Sequence, residues 1–205
     1  MQFPADTVQS RINTPLGDVR LAASPAGLCG LWFDGQRHQP TEPLDGPNAW
    51  PVDDAHAVLQ RAAGQLLQYL AGQRTQFDLP LDLSGGTPFQ QAVWQALLQI
   101  DVGTTTSYGA ISRQVGRPLA VRAVGAAVGR NPVSVIVPCH RVVGSAGDLT
   151  GYAGGLPRKL ALLRLEGAVP PPTPSPSNTG TLPLFAPPMA PVAPVAPAAR
   201  PAVHR

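Results

Sequence analysis

Cysteine is scarce in this chain: Cys29 and Cys139 are the only two in 205 residues. Two thiols so far apart do not make a disulfide scaffold, and they suit a reducing compartment. No Cys/His cluster has the spacing of a structural zinc site, and neither a metal nor a cofactor is among the expectations for this chain. No apolar run approaches the roughly 20 residues that a membrane-spanning helix needs. Met1-Gln2-Phe3-Pro4-Ala5-Asp6 lacks the basic start and apolar stretch of a signal peptide. A cytoplasmic protein is therefore expected.

What is present is enough for a folded core. Apolar residues make up 43% of the chain, and the length allows one large domain or two small ones. The net charge of +3 hides an asymmetry. Residues 1–85 carry 5 Arg against 9 Asp/Glu, whereas residues 86–168 carry 8 Lys/Arg against 3 Asp/Glu. A basic block favours attraction to a phosphate backbone, although solvated surface arginines would give the same balance.

The first half reads as an antiparallel meander followed by a helix. Strands are expected over Thr7–Ile12, Val19–Ala23 and Leu28–Phe33, because turn residues fall where the β-branched and apolar runs stop. Cys29 is expected in the core. After a loop over 35–52, a helix is predicted from about Asp54 to Ala71, capped by Asp53 or Asp54 and stopped by Gly72. Val58, Leu59, Ala62, Leu66 and Leu70 would line its buried face. Phe77–Leu83 suggests one more strand, and Ser84-Gly85-Gly86 marks a boundary.

Thr87-Pro88-Phe89-Gln90 opens the second half with an N-cap Thr, an N1 Pro and a Gln at N3, the pattern of a capping box. That helix is predicted to reach about Ile100. Ser107 caps a short helix from Tyr108 to Val115, Gly116-Arg117-Pro118 turns the chain, and another helix runs from Leu119 to Val128. Two short helices around a tight turn suggest a helix-turn-helix. The second carries small residues (Ala120, Ala123, Gly125, Ala126 and Ala127) around one long basic side chain, Arg122. Close packing explains the alanines; it does not explain the arginine.

Pro138-Cys139-His140-Arg141 lies between two β-prone runs, Val133–Val137 and Val142-Val143. A thiolate is the reactive form of cysteine, so this tetrapeptide is a candidate reaction centre. On an extended strand Cys139 and His140 would point to opposite faces, which argues against a direct dyad unless Pro138 kinks the chain.

Residues 87–167 resemble the active-site domain of the O6-alkylguanine-DNA alkyltransferases. The resemblance rests on Thr104-Thr105-Thr106-Ser107-Tyr108-Gly109, Arg122-Ala123-Val124-Gly125, Asn131-Pro132 and Ile136 through Gly144. It continues through Thr150-Gly151-Tyr152-Ala153-Gly154-Gly155 to Leu165-Glu166-Gly167. It implies an α/β (α+β) fold: a small ribonuclease-H-like domain over 1–85, then a mostly helical, winged helix-turn-helix-like domain over 86–168. Residues 169–205 would be a disordered Pro/Ala-rich tail; 12 prolines fall in 170–205.

The family resemblance also implies a reaction. Cys139 would accept the alkyl group of O6-alkylguanine in double-stranded DNA, and of O4-alkylthymine as a second candidate, once and irreversibly. His140, acting through a water, would take the thiol proton, and Glu166 would orient His140. Asn131 would shape the supporting turn, and Tyr108 would assist the leaving base. Arg122 would fill the place of the extruded nucleotide, with Ala120, Ala123, Gly125, Arg130 and Arg141 also at the DNA. Ser145, Val142, Tyr152 and Gly154 would line the base pocket.

Two rivals compete with this reading. Alkyltransferase-like lesion binders share the scaffold but lack the acceptor cysteine, which is present here. A cysteine hydrolase would need the direct dyad. Trp32, Trp50 and Trp94 are expected to be packing residues, and the chain a monomer. Finally, Leu182-Pro183-Leu184-Phe185 is an apolar island similar to the short peptides that bind the bacterial sliding clamp.

Overall fold

The computed structural model describes residues 1–40 and 44–169. The tail and its Leu182–Phe185 island lie outside the described residues from 170 onward. Three strands open the fold: β1 (Val8–Ile12), β2 (Val19–Ser24) and β3 (Gly27–Phe33), antiparallel in the order β1-β2-β3. The register runs Val8↔Ala23 to Ile12↔Val19, and Val19↔Phe33 to Ser24↔Gly27. A bulge between Ala22 and Ala23 leaves Cys29 without an opposite residue. The extra residue shifts the two-residue alternation, so Leu28 joins Leu31 and Phe33 on the core face. Cys29, Ala22 and Trp32 instead form a small second cluster with Phe3 and Trp50.

Helix α1 (Ala57–Leu70) packs on the core face through Leu59, Ala62, Leu66 and Tyr69, all at most 2% exposed. Each fully buried leucine contributes roughly 2 kcal/mol. Gly72 ends the helix in the left-handed region, φ +72.

Helix α2 (Pro88–Leu97) begins with the expected capping box: Thr87 Oγ1 accepts from Gln90 N, and Thr87 N donates to Gln90 Oε1. Trp94 is fully buried and donates from Nε1 to Ala127 O at 2.9 Å. That bond ties α2 to α4 (Val121–Gly129), the second helix of the helix-turn-helix; the first is α3 (Tyr108–Gln114). Ser107 caps α3 by accepting from Ala110 N. Two short strands, β4 (Thr106–Ser107) and β5 (Val142–Val143), pair in parallel, and α5 (Leu156–Leu165) closes the fold.

The described residues fall within one compact unit. Leu31 N donates to Pro132 O at 2.8 Å and Ser134 N to Leu31 O at 3.0 Å, so the 132–134 segment lies against β3. Among the described residues, no helix is long and apolar enough to cross a membrane.

Several expectations need correction. Phe77–Leu83 is not a strand; Leu81 makes one isolated bridge to Leu28. Helix α1 starts at Ala57 with His56 in the cap position, while Asp53 turns the preceding loop by accepting from Ala55 N. Helix α2 stops at Leu97 rather than Ile100, and α4 starts at Val121 rather than Leu119. Val133–Val137 is not a strand: Val133 makes one isolated bridge to Leu31 and Ser134–Ile136 turn, for a reason that lies in the site itself.

Candidate active site around Cys139

Asn131 organises the segment that presents Cys139. Its side chain is 3% exposed and makes three hydrogen bonds. Oδ1 accepts from Val133 N at 3.0 Å, and Nδ2 donates to Val137 O at 2.8 Å and to Cys139 Sγ at 3.0 Å. These bonds take the place of a strand ladder and fold residues 131–138 into turns. Val135 is held at φ +72, a left-handed conformation that costs a β-branched residue about 1–2 kcal/mol. Pro138 then breaks the chain direction, and Cys139–Arg141 form a single 3-10 turn. Cys139 and His140 are therefore successive positions of a helical turn, not of an extended strand, so the opposite-faces argument does not apply.

His140 nevertheless turns away from direct pairing with its neighbour. Its Nε2 faces Glu166 Oε1 at 3.0 Å, and its buried Nδ1 has no partner among the described residues. The Glu166 side chain is 1% exposed and collects further donors. Arg141 Nη2 donates to Oε1 at 2.7 Å and Nε to Oε2 at 2.9 Å. Tyr69 of α1 donates its hydroxyl to Oε1 at 2.5 Å. Burial alone would raise the Glu166 pKa, but the hydrogen bonds of His140 and Arg141, the charge that His140 carries once protonated, and the Tyr69 hydrogen bond outweigh it and hold it at about 2. The carboxylate is thus ionised at neutral pH. Burial lowers the His140 pKa against the opposing pull of Glu166. A neutral imidazole facing a carboxylate keeps its proton on Nε2, which leaves Nδ1 as a bare acceptor.

The thiol is protonated at rest. Cys139 is 4% exposed, and burial pushes its pKa up to about 11 despite the Asn131 bond and the charge of Lys159. A free thiol yields a few per cent of thiolate at neutral pH; here the resting fraction is smaller still, so proton removal must accompany attack. Lys159 is fully buried and donates from Nζ to Val142 O at 2.5 Å and to Thr150 O at 2.7 Å. It ties β5 to the loop that carries Tyr152, and burial depresses its pKa to about 8.

A cavity of about 200 Å³ is lined by Tyr108, Gly125, Gly129 and Tyr152 together with Arg37 and His38. Tyr108 lies at its edge, its hydroxyl 3.3 Å from Gly151 O. The buried Tyr152 hydroxyl has no partner within hydrogen-bond geometry, and its pKa is raised by burial and by the neighbouring Cys139. A larger groove of about 470 Å³ is lined by Phe77, Ile100 and Arg141 among others and not by Tyr108; the Cys139 side chain lines neither space.

Tyr108, Asn131, Cys139, His140, Glu166 and Tyr152 thus meet around one centre. Arg122, Ala123 and Arg130 are exposed on or beside α4, with Ala120 and Gly125 half-buried; Ala127 faces the core instead. Four other expected positions are corrected. Arg141 is 8% exposed and bound to Glu166 and to Ile100 O, so it faces inward and is unavailable to DNA. Ser145 is exposed in a loop away from the cavity lining, whereas Val142 is fully buried in the core. Gly154 lies beneath Tyr152: a Cβ there would fall 2.8 Å from the Tyr152 ring. It shapes the pocket from behind without lining it. Tyr69 and Lys159 escaped the sequence reading. Tyr69 sits at a buried position of α1, and the cue was available in its helical spacing from Leu59, Ala62 and Leu66.

The comparisons with known proteins agree with this geometry. The family described as "6-O-methylguanine DNA methyltransferase, ribonuclease-like domain" matches residues 8–83, and its "DNA binding domain" matches residues 88–168. The methylated-DNA–protein-cysteine methyltransferase of Mycobacterium tuberculosis is 48% identical over 155 residues, covering 76% of this chain and 89% of that protein. Its namesake from Methanosarcina acetivorans is 42% identical over 156 residues, covering 76% and 96%. A crystal structure of Mycobacterium tuberculosis OGT in complex with DNA superimposes with a TM-score of 0.69 at 45% identity, covering 78% of this chain and 93% of that one. With family models matching both halves and relatives 42% and 48% identical, the chain belongs to the methylated-DNA–protein-cysteine methyltransferase family.

Proposed function

We propose that this protein repairs DNA by transferring the alkyl group of O6-alkylguanine directly to Cys139, which makes it a methylated-DNA–protein-cysteine S-methyltransferase. The carrying observation is the constellation itself: a buried thiol hydrogen-bonded to Asn131, beside an imidazole whose inner nitrogen is free and whose outer nitrogen is held by an ionised carboxylate.

Each residue has a role in the step. His140 Nδ1 takes the thiol proton through a water, and Glu166 stabilises the imidazolium that forms. The Asn131 amide donates to the sulfur as negative charge grows on it. Sulfur attacks the alkyl carbon, the S–C bond forms and the O6–C bond breaks. Tyr108, kept neutral because burial raises its pKa, donates to the guanine ring as the departing base gains charge. Guanine ends protonated, and the proton taken by His140 returns the site to neutrality through water and Tyr108. The product is a thioether, a very poor leaving group, so one molecule acts once. The same step would serve O4-alkylthymine.

The target oxygen is shielded in the duplex, and extruding the nucleotide costs a few kcal/mol. Exposed Arg122, flanked by Ala123 and half-buried Gly125, is suited to enter the minor groove and occupy the vacated place. Arg130 adds phosphate attraction, and Ala120 leaves room for the backbone. In this reading residues 86–168 form the DNA-binding and transfer domain and residues 1–85 a supporting α/β domain. The protein acts as a cytoplasmic monomer, and Leu182-Pro183-Leu184-Phe185 in the tail over 169–205 docks on the sliding clamp. A pull-down in which Leu184→Ala with Phe185→Ala leaves clamp capture unchanged would remove that last element.

Incubation with a duplex bearing label on the O6-methyl group separates the readings. Label carried to Cys139 supports transfer. Lesion binding without transfer would indicate an alkyltransferase-like binder, and neither result would leave the hydrolase rival.

A further inference from the structure

Among the donors that meet the Glu166 carboxylate, Tyr69 comes from farthest away in the chain. It lies on α1, 97 residues before Glu166, and is 2% exposed. Its ring packs against Phe77 with centroids 5.2 Å apart. Phenylalanine would supply the same packing without the cost of burying a hydroxyl. The hydroxyl is satisfied by one acceptor, Glu166 Oε1, which is also the oxygen that faces His140 Nε2.

We propose that Tyr69 is a positioning residue for the transfer step: from α1 it fixes the Glu166 carboxylate and sets the proton affinity of His140. The inference rests on the reading of Cys139 as acceptor and His140 as its base.

The argument is electrostatic. Oε1 receives three donors: Tyr69 at 2.5 Å, Arg141 Nη2 at 2.7 Å and His140 Nε2 at 3.0 Å. The tyrosine bond is the shortest, and it draws carboxylate charge away from the imidazole. Without it, more of that charge stabilises imidazolium, and the His140 pKa rises. Glu166 itself stays anchored by both Arg141 bonds, so the fold loses little. The other groups that act on His140 are Lys159 and Glu166 on and beside α5 and Arg141 on its own turn, with Cys139 its chain neighbour. All remain in place when the Tyr69 hydroxyl is removed.

The test uses the full chain and an O6-methylguanine duplex. Alkyl-transfer rates are followed across pH for the wild type, Tyr69→Phe and Phe77→Leu, with the His140 ring titrated by 15N NMR. For Tyr69→Phe the acid limb of the rate profile should move upward by roughly half a pH unit, and the ring titration should move with it. Phe77→Leu disturbs the packing of the ring but keeps the hydroxyl, so its midpoint should match the wild type. An unshifted Tyr69→Phe midpoint, whatever its plateau rate, or an equal shift in Phe77→Leu, overturns the proposal. A wild type that transfers nothing overturns the proposed function instead.

Discussion

Replacing Asn131 by alanine should damage both the fold and the chemistry, by amounts that can be worked from its three hydrogen bonds. The substitution strands the buried Val133 N–H and removes one of the two donors to the buried Val137 C=O, which keeps Cys139 N at 2.8 Å. An unsatisfied buried backbone group costs about 1–3 kcal/mol and one lost hydrogen bond about 1 kcal/mol, so the substitution costs roughly 2–4 kcal/mol. For a domain of this size about 1 kcal/mol lowers Tm by ~2–4 °C, which predicts a fall on the order of 5–15 °C. The chemistry suffers separately. Sγ loses its donor at 3.0 Å just as charge develops on it. A hydrogen bond to a charged group is worth about 1.5–3 kcal/mol, so transfer should slow by roughly 10- to 100-fold. Asn131→Asp divides the two effects, because it keeps an acceptor for Val133 N but turns an oxygen toward Val137 O and the sulfur. It should therefore impair transfer at least as much as alanine does. Thermal unfolding by circular dichroism and single-turnover transfer on a short duplex read both quantities. If Asn131→Ala melted like the wild type and transferred at the same rate, the account of how Cys139 is held would be wrong.

Three further outcomes follow from the site. Arg122→Ala should slow repair of duplex DNA far more than reaction with free O6-methylguanine, and equal losses on the two substrates would remove its role in extrusion. Tyr108→Phe should slow transfer by about 10²-fold or more, the range of general acid assistance, while lesion binding measured by gel shift persists; an unchanged rate would refute the assignment. Glu166 has a depressed pKa, so the stability it confers is complete above the unfolded value of 4.5 and is lost as pH falls through about 2. The shift corresponds to about 3 kcal/mol. Denaturant unfolding between those pH values should show this loss in the wild type, and Glu166→Gln, already less stable, should show a flatter slope.

Local signals were the ones legible in the sequence. The meander, the capping box at Thr87 and the Ser107 cap depend on neighbours a few residues apart, and each appears in the structure. Cys139 and its associated motif residues were legible through family resemblance. The rest depends on contacts distant in sequence. Val133–Val137 has the composition of a strand, but Asn131 takes the backbone bonds that a strand partner would have made. Arg141 reads as a DNA-facing cation until Glu166, 25 residues later, draws it inward. Nothing in the sequence marks Lys159 as buried, yet the carbonyls of Val142 in β5 and Thr150 in the adjoining loop hold its ammonium inside. The β3 bulge, which decides the face that Cys29 occupies, has no cue in composition; it places that thiol in a separate cluster with Ala22 and Trp32, where burial drives its pKa up to about 12.

That contrast between two buried thiols leads to the most direct test. The protein is incubated with excess O6-methylguanine duplex, and its peptides are mapped by mass spectrometry alongside a Cys139→Ala variant. The account predicts a gain of one CH2 per molecule, located on Cys139, with repair stopping at one equivalent and none in the variant, which still binds the lesion. Methyl found on Cys29, turnover beyond one equivalent, or repair by Cys139→Ala would contradict it.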